Sequence, residues 1–223
     1  MFADNDWYGH KKIILEYCKI KKKLPIFGTL QHGYNFNWKK RIQIFKPSKY
    51  FKSAPYYSWN DFLKKNKKIN SIPIGAPFIY LDILNKKKIY NPKGTLVFPS
   101  HSNEEYPQLV NHKNLIIFMK KKFKPPYKVS LFHTDFLNSI TRNLYKKNNF
   151  QVFCSGHRGN DLFLKNVYRN IANSEFVLFT EFMTPTLYAM FLRKKIAIFE
   201  EDHNGKDFYS YTSKDYEYFK KKK

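Results

Sequence analysis

From residue 95 onward the chain repeats one pattern: a short apolar run, a polar cluster, then an amphipathic stretch. The runs at 95–98, 128–132, 150–154, 176–179 and 196–199 are almost continuously apolar, the mark of strands buried on both faces of a parallel sheet. Between them the spacing predicts helices over 104 to about 115 or beyond, over 139–147 and over 161–173. In the last of these Leu164, Val167, Tyr168 and Ile171 recur at i, i+3, i+4 and i+7. A fourth helix opens at Thr184-Pro185-Thr186, where a capping threonine and a first-turn proline precede Leu187, Met190 and Phe191. Strands and helices in strict alternation predict an α/β fold, a Rossmann-like doubly wound parallel sheet.

The first 85 residues are less regular. Residues 7–20 predict an amphipathic helix with Ile13, Ile14, Tyr17 and Cys18 on one side, ended by three lysines. Residues 24–31, LPIFGTLQ, read as a strand that runs into His32-Gly33-Tyr34. Residues 56–59 read as a short strand before a helix around 60–65. The run 71–80, SIPIGAPFIY, holds two prolines and a glycine, so it is expected as an edge strand or one that breaks into a loop. Residues 86–94 are charged, contain Asn91-Pro92 and Gly94, and predict a linker. The expected organisation is a smaller, incomplete N-terminal α/β domain over 1–85, the linker over 86–94, a Rossmann-like α/β domain over 95–199 and a basic tail over 200–223.

Composition sharpens this picture only in part. A net charge of +24, from 41 Lys+Arg against 17 Asp+Glu, points to a polyanionic partner such as nucleic acid or an anionic membrane surface. The lysines, however, sit in runs at 21–23, 86–88, 120–122 and 220–223, at the ends of elements rather than along one helix face. Lys, Asn, Ile, Phe and Tyr are abundant together, as AT-rich coding would produce, and nucleic acid is not the expected partner. Cys18 and Cys154 are too few and too far apart for a disulfide framework, and read as reduced thiols of a cytoplasmic protein. No apolar run reaches the roughly 18 to 20 residues of a membrane span, and no signal-peptide core is present, so contact with an anionic inner membrane is expected to be peripheral.

Candidate chemistry gathers at the strand ends. Ser100-His101-Ser102, His133-Thr134-Asp135 and Ser155-Gly156-His157-Arg158 each follow a predicted strand, and Thr184 and Thr186 open a helix. In an open parallel sheet these positions share the carboxyl edge, where helix amides, hydroxyls and a guanidinium suit a diphosphate. Metal binding is not expected: the histidines form no HxH or HxxxH pair and no second acidic residue stands beside Asp135. His32, between a predicted strand and a glycine, is the candidate catalytic residue.

The strand and HG loop (Gln31-His32-Gly33), the linker and the closing segment SEFVLFTEFMTPTLYAMFLRKKIAIF together resemble the nucleotide-sugar transferases of the GT-B fold. The likeness is to those of bacterial capsule and lipopolysaccharide biosynthesis, and more distantly to the CDP-glycerol glycerophosphotransferases. The resemblance implies a glycosyltransferase with no cofactor, whose substrates are a nucleotide-activated sugar and a saccharide or lipid-linked acceptor. It further implies that Ser100, His101, Ser102, His133, Asp135, Gly156, His157, Arg158, Thr184 and Thr186 hold the donor, and that His32 takes the acceptor's proton. Two features depart from the family pattern: no acidic residue lies between Thr184 and Lys195, and only about 85 residues precede the linker, against well over 100 in a usual first domain. A reduced first domain, or a chain that starts inside a longer ancestral protein, would explain the second. The alternatives are a basic non-catalytic binding protein for nucleic acid or an anionic membrane, and a truncated, inactive transferase.

Overall fold

The computed structural model describes residues 3–22, 24–34, 54–61, 70–86, 90–100 and 110–199. The chain divides into two compact units, Met1–Lys88 with Arg158–Lys165, and Ile89–His157 with Asn166–Lys223.

The first unit opens with a 3-10 helical segment, Ala3–Gly9, broken at Trp7 and Tyr8. Helix α1 (His10–Tyr17) follows, then strands β1 (Thr29–Leu30), β2 (Tyr56–Ser58) and β3 (Ser71–Pro73) and helix α2 (Pro77–Asn85). The strands form a parallel sheet in the order β1-β2-β3. The expected helix over 7–20 is shorter because Tyr8 (φ 59°) and Lys19 (φ 57°) leave helical geometry at its two ends. The expected strand over 24–31 shrinks to two residues for a polar reason. The Asn5 amide donates to the carbonyls of Ile26 (3.2 Å) and Gly28 (2.8 Å), and the Leu30 N–H donates to Asn5 Oδ1 (2.8 Å). A side chain thus satisfies backbone groups that a longer ladder would use. The run 71–80 is strand β3 followed by the start of α2, with Pro77 in the first helical turn, where its missing N–H costs nothing. Of the helix expected around 60–65, residues 62–65 lie outside the described residues.

The second unit contains β4 (Thr95–Phe98), α3 (His112–Lys122), β5 (Tyr127–Leu131), α4 (His133–Leu137), α5 (Ser139–Lys147), β6 (Phe150–Cys154), α6 (Phe163–Ala172, whose first three residues belong to the first unit), β7 (Phe176–Phe179), α7 (Thr184–Phe191) and β8 (Lys195–Ile198). Its five strands are all parallel, in the order β6-β5-β4-β7-β8. The protein is therefore α/β with two parallel sheets. Val97, Val129, Leu131 and Leu178 pack with Leu115, Ile116 and Met119 of α3 and Tyr145 of α5 in one buried core. Strand alternation turns Leu96, Phe98, Val177 and Phe179 to the opposite face, where the rings of Phe98 and Phe179 stack at 5.5 Å. Right-handed crossovers then place α6 and α7 on that opposite face, because β7 and β8 lie on the other side of β4 from β5 and β6.

The helix expected over 104–115 is corrected. Residues 101–109 lie outside the described residues, and the helix begins at His112 because the Asn111 carbonyl oxygen Oδ1 accepts from the N–H groups of Lys113 and Asn114. It runs on to Lys122, so residues 114–118 form its middle. Within the core the Tyr145 hydroxyl bonds His112 Nδ1 at 2.8 Å. Tyr145→Phe should remove that bond from a dry site and lower the second unit's stability by about 1 to 3 kcal/mol, read from urea unfolding. A change below half of the lower figure would show the bond to be dispensable.

Candidate functional site

In the five-stranded sheet the strand order reverses at β4, with β5 and β6 on one side and β7 and β8 on the other. Open α/β sheets bind ligands at such a reversal, beyond the carboxyl ends of the strands, where the flanking connections leave to opposite faces and open a crevice. Two hydroxyls meet there. The Ser100 N–H donates to Thr180 Oγ1 at 2.7 Å, and the two side-chain oxygens share a hydrogen bond at 2.8 Å. Ser100 continues β4 and Thr180 continues β7, neighbours in register through Phe98 and Phe179. Both residues are half-buried.

One strand further out, at the ends of β5 and β6, His133 and His157 meet edge to face at 4.8 Å, and Phe132 also packs on the His133 ring. His133, Thr134 and Asp135, expected as a strand end, form the first turn of α4. Asp135 is buried, and its charge adds to burial in pushing the Tyr145 phenol up. Gly156 donates its N–H to Cys154 Sγ. The neighbouring Ser155 is buried, and its Oγ has no hydrogen-bond partner among the described residues.

The start of α7 is differently occupied. Thr186 is buried, its hydroxyl accepts from the Met183 N–H at 3.1 Å and its own N–H donates to the Met183 carbonyl. Both of its polar groups thus hold the turn that aims Thr184 and Pro185. Thr184 itself is half-buried at the helix start. His101 and Ser102 lie outside the described residues.

Arg158 belongs to the first unit, one residue past the boundary that leaves His157 in the second. Its guanidinium lies 4.2 Å over the Trp7 ring, a cation–π contact, and its carbonyl accepts from the Tyr8 N–H. The same unit surrounds His32 with rings: Trp7 at 5.3 Å, Tyr8 at 6.3 Å and His10 stacked at 5.8 Å. Gln31 braces the loop on both sides of His32. Its amide donates to the Gly33 carbonyl, its side-chain oxygen accepts from the Trp59 N–H, and its backbone carbonyl accepts from Trp59 Nε1. His10 is 1 % exposed and is held down at about 3 by burial, with the neighbouring His32 adding to the effect and the Gln31 carbonyl opposing it.

Thr180, Trp7, His10 and Trp59 were not among the residues singled out from the sequence. Thr180 carries a readable signal, a hydroxyl one position past a buried strand, as Ser100 is close to one. The others carry none, because their neighbours are distant in sequence. Among the described residues, no three His, Cys, Asp or Glu side chains gather as a metal would require, and no helix is long and apolar enough to cross a membrane.

Fold and site together define a class: an α/β protein whose larger unit is an open parallel sheet with a hydroxyl pair at the point where strand order reverses. Compared with known protein families, curated proteins and solved structures, the chain matches none.

Proposed function

We propose that the second unit binds the nucleotide diphosphate of an activated sugar at the carboxyl edge of its sheet, and that the protein is a glycosyltransferase acting on a saccharide or lipid-linked acceptor. The observation that carries this reading is the Ser100–Thr180 pair at the reversal of strand order. Hydroxyls in such a crevice can donate to phosphate oxygens. The His133–His157 pair supplies flat rings beside them, suited to a base or sugar, and Thr184 brings the start of α7 to the same edge. Within the first unit, His32 is the proposed base for the acceptor hydroxyl. Gln31 braces the loop on both sides of His32, and because both ring nitrogens of His32 are buried, the role requires the acceptor hydroxyl to reach one of them.

A thermal-shift and calorimetry panel of nucleoside mono- and diphosphates tests the reading. A true ligand at 100 times its Kd should stabilise the second unit by about 2.7 kcal/mol. Ser100→Ala with Thr180→Val should then weaken that ligand by about 10- to 100-fold, as lost hydrogen bonds to charged groups do. His32→Ala should leave nucleotide binding intact and abolish transfer. If no nucleotide stabilises the protein, while random DNA binds and is released between about 50 and 200 mM salt, the transferase reading fails in favour of a basic binding module.

A further inference from the structure

We infer that the outer face of α2, with the chain that leaves α1, is a docking surface for an anionic lipid bilayer. Helix α2, PFIYLDILN, has one charged residue in nine. Pro77, Phe78, Leu81 and Asn85 face inward and are buried. Ile79, Ile83 and Leu84 are 38 %, 39 % and 44 % exposed. With Tyr80 between them, they cover a continuous arc of about 140° at 100° per residue. A helix this apolar is normally covered all round, and among the described residues this one is covered on one side only.

The patch extends beyond the helix. Tyr80 stacks on Tyr17 at 4.6 Å, which joins α2 to the last turn of α1. Beyond that turn Ile20 and Leu24 are 40 % and 47 % exposed. Lys19, Lys21, Lys22 and Lys86, all exposed, flank these apolar positions in the chain. Acidic residues are fewer here. Asp82, half-buried one turn before Lys86, borders the patch, while both Glu16 carboxylate oxygens bond Lys165 at 2.8 Å.

Exposed apolar side chains with exposed lysines beside them in the chain match the interface of an anionic bilayer. The alkyl groups enter the headgroup boundary while the ammonium groups stay at the phosphates. A second copy of the chain would set lysine against lysine, so self-association fits the patch poorly. The peripheral membrane contact expected from charge alone had no location, and the two helices give it one. The inference does not rest on the nucleotide reading, because its residues and its assay are separate from those of the carboxyl edge.

The test is sedimentation of the full chain with phosphatidylcholine vesicles, with and without phosphatidylglycerol, at about 150 mM salt, where the screening length is about 8 Å. Binding should require the anionic lipid. Ile83→Ser with Leu84→Ser, which leaves the charge unchanged, should weaken it at least tenfold, while Ile117→Ser, an exposed site on α3, should leave it unchanged. Lys21→Gln and Lys22→Gln should each cost about fivefold. Circular dichroism checks that each variant is folded. Failure to bind, or binding that ignores the apolar pair and tracks net charge alone, overturns the inference. So does a change in solution mass caused by the Ile83/Leu84 variant, which would make the patch an interface between copies.

Discussion

Acidification should unfold the first unit well before ordinary carboxylate chemistry begins, and His10 should be a principal cause. In the unfolded chain His10 takes a proton near its usual value of about 6.5; in the fold it is held at about 3, chiefly by burial. The folded form therefore keeps the ring neutral. Stability from this source is fully present above about 6.5 and is lost as pH falls toward the folded value, with a slope of up to about 1.4 kcal/mol per pH unit. Between pH 6.5 and 4.5 that amounts to about 2 to 3 kcal/mol. The probe is built in: Trp7, Trp38 and Trp59, all three tryptophans, fall within Met1–Lys88. Urea unfolding followed by their fluorescence should show His10→Gln less stable than the natural protein at pH 7.5 but converging on it as pH falls. Parallel curves for the two proteins would mean that His10 is not held neutral.

Gly94→Ala should be the most damaging single substitution we can name in the second unit, at about 2 to 5 kcal/mol. Two costs combine there. Gly94 sits at φ +69°, where an L side chain is strained by about 1 to 2 kcal/mol, and a Cβ would stand 2.0 Å from the Pro126 carbonyl oxygen and 2.7 Å from its Cδ. Neither neighbour can swing aside, because the Pro126 carbonyl accepts the Thr95 N–H and the Gly94 carbonyl accepts from Glu175 and Phe176. The starts of β4, β5 and β7 are tied through this one residue. Gly75→Ala is the control: its φ is +82°, but the nearest atom to a new Cβ is the Tyr80 hydroxyl at 3.6 Å. Only the backbone cost should appear there, about 1 kcal/mol. Equal losses at the two positions, by urea unfolding followed by circular dichroism, would remove the steric part of the explanation.

What the sequence determined by itself lies mostly in the second unit. β4, β6, β7 and α5 fall at the residues their apolar patterns predict, because strands buried on both faces must be apolar throughout and because an amphipathic helix carries its own period. The pattern failed where a residue's role depends on remote neighbours. Residues 77–80, the start of α2, read as part of an edge strand or of the loop after it because the run 71–80 is apolar and holds two prolines, and β1 is cut short by Asn5, more than twenty residues away. Strand order was decided only by the tertiary structure. Strands alternating with helices fit several orders, and only the pairing of β4 with β7 brings Ser100 to Thr180, 80 residues apart. The same holds for the ring of Trp7, Tyr8 and His10 around His32, and for Arg158 over Trp7 rather than beside His157. Local pattern records how a segment meets solvent, whereas these groupings arise when closure of long loops is offset by burial shared among distant segments, a balance no single stretch of sequence contains.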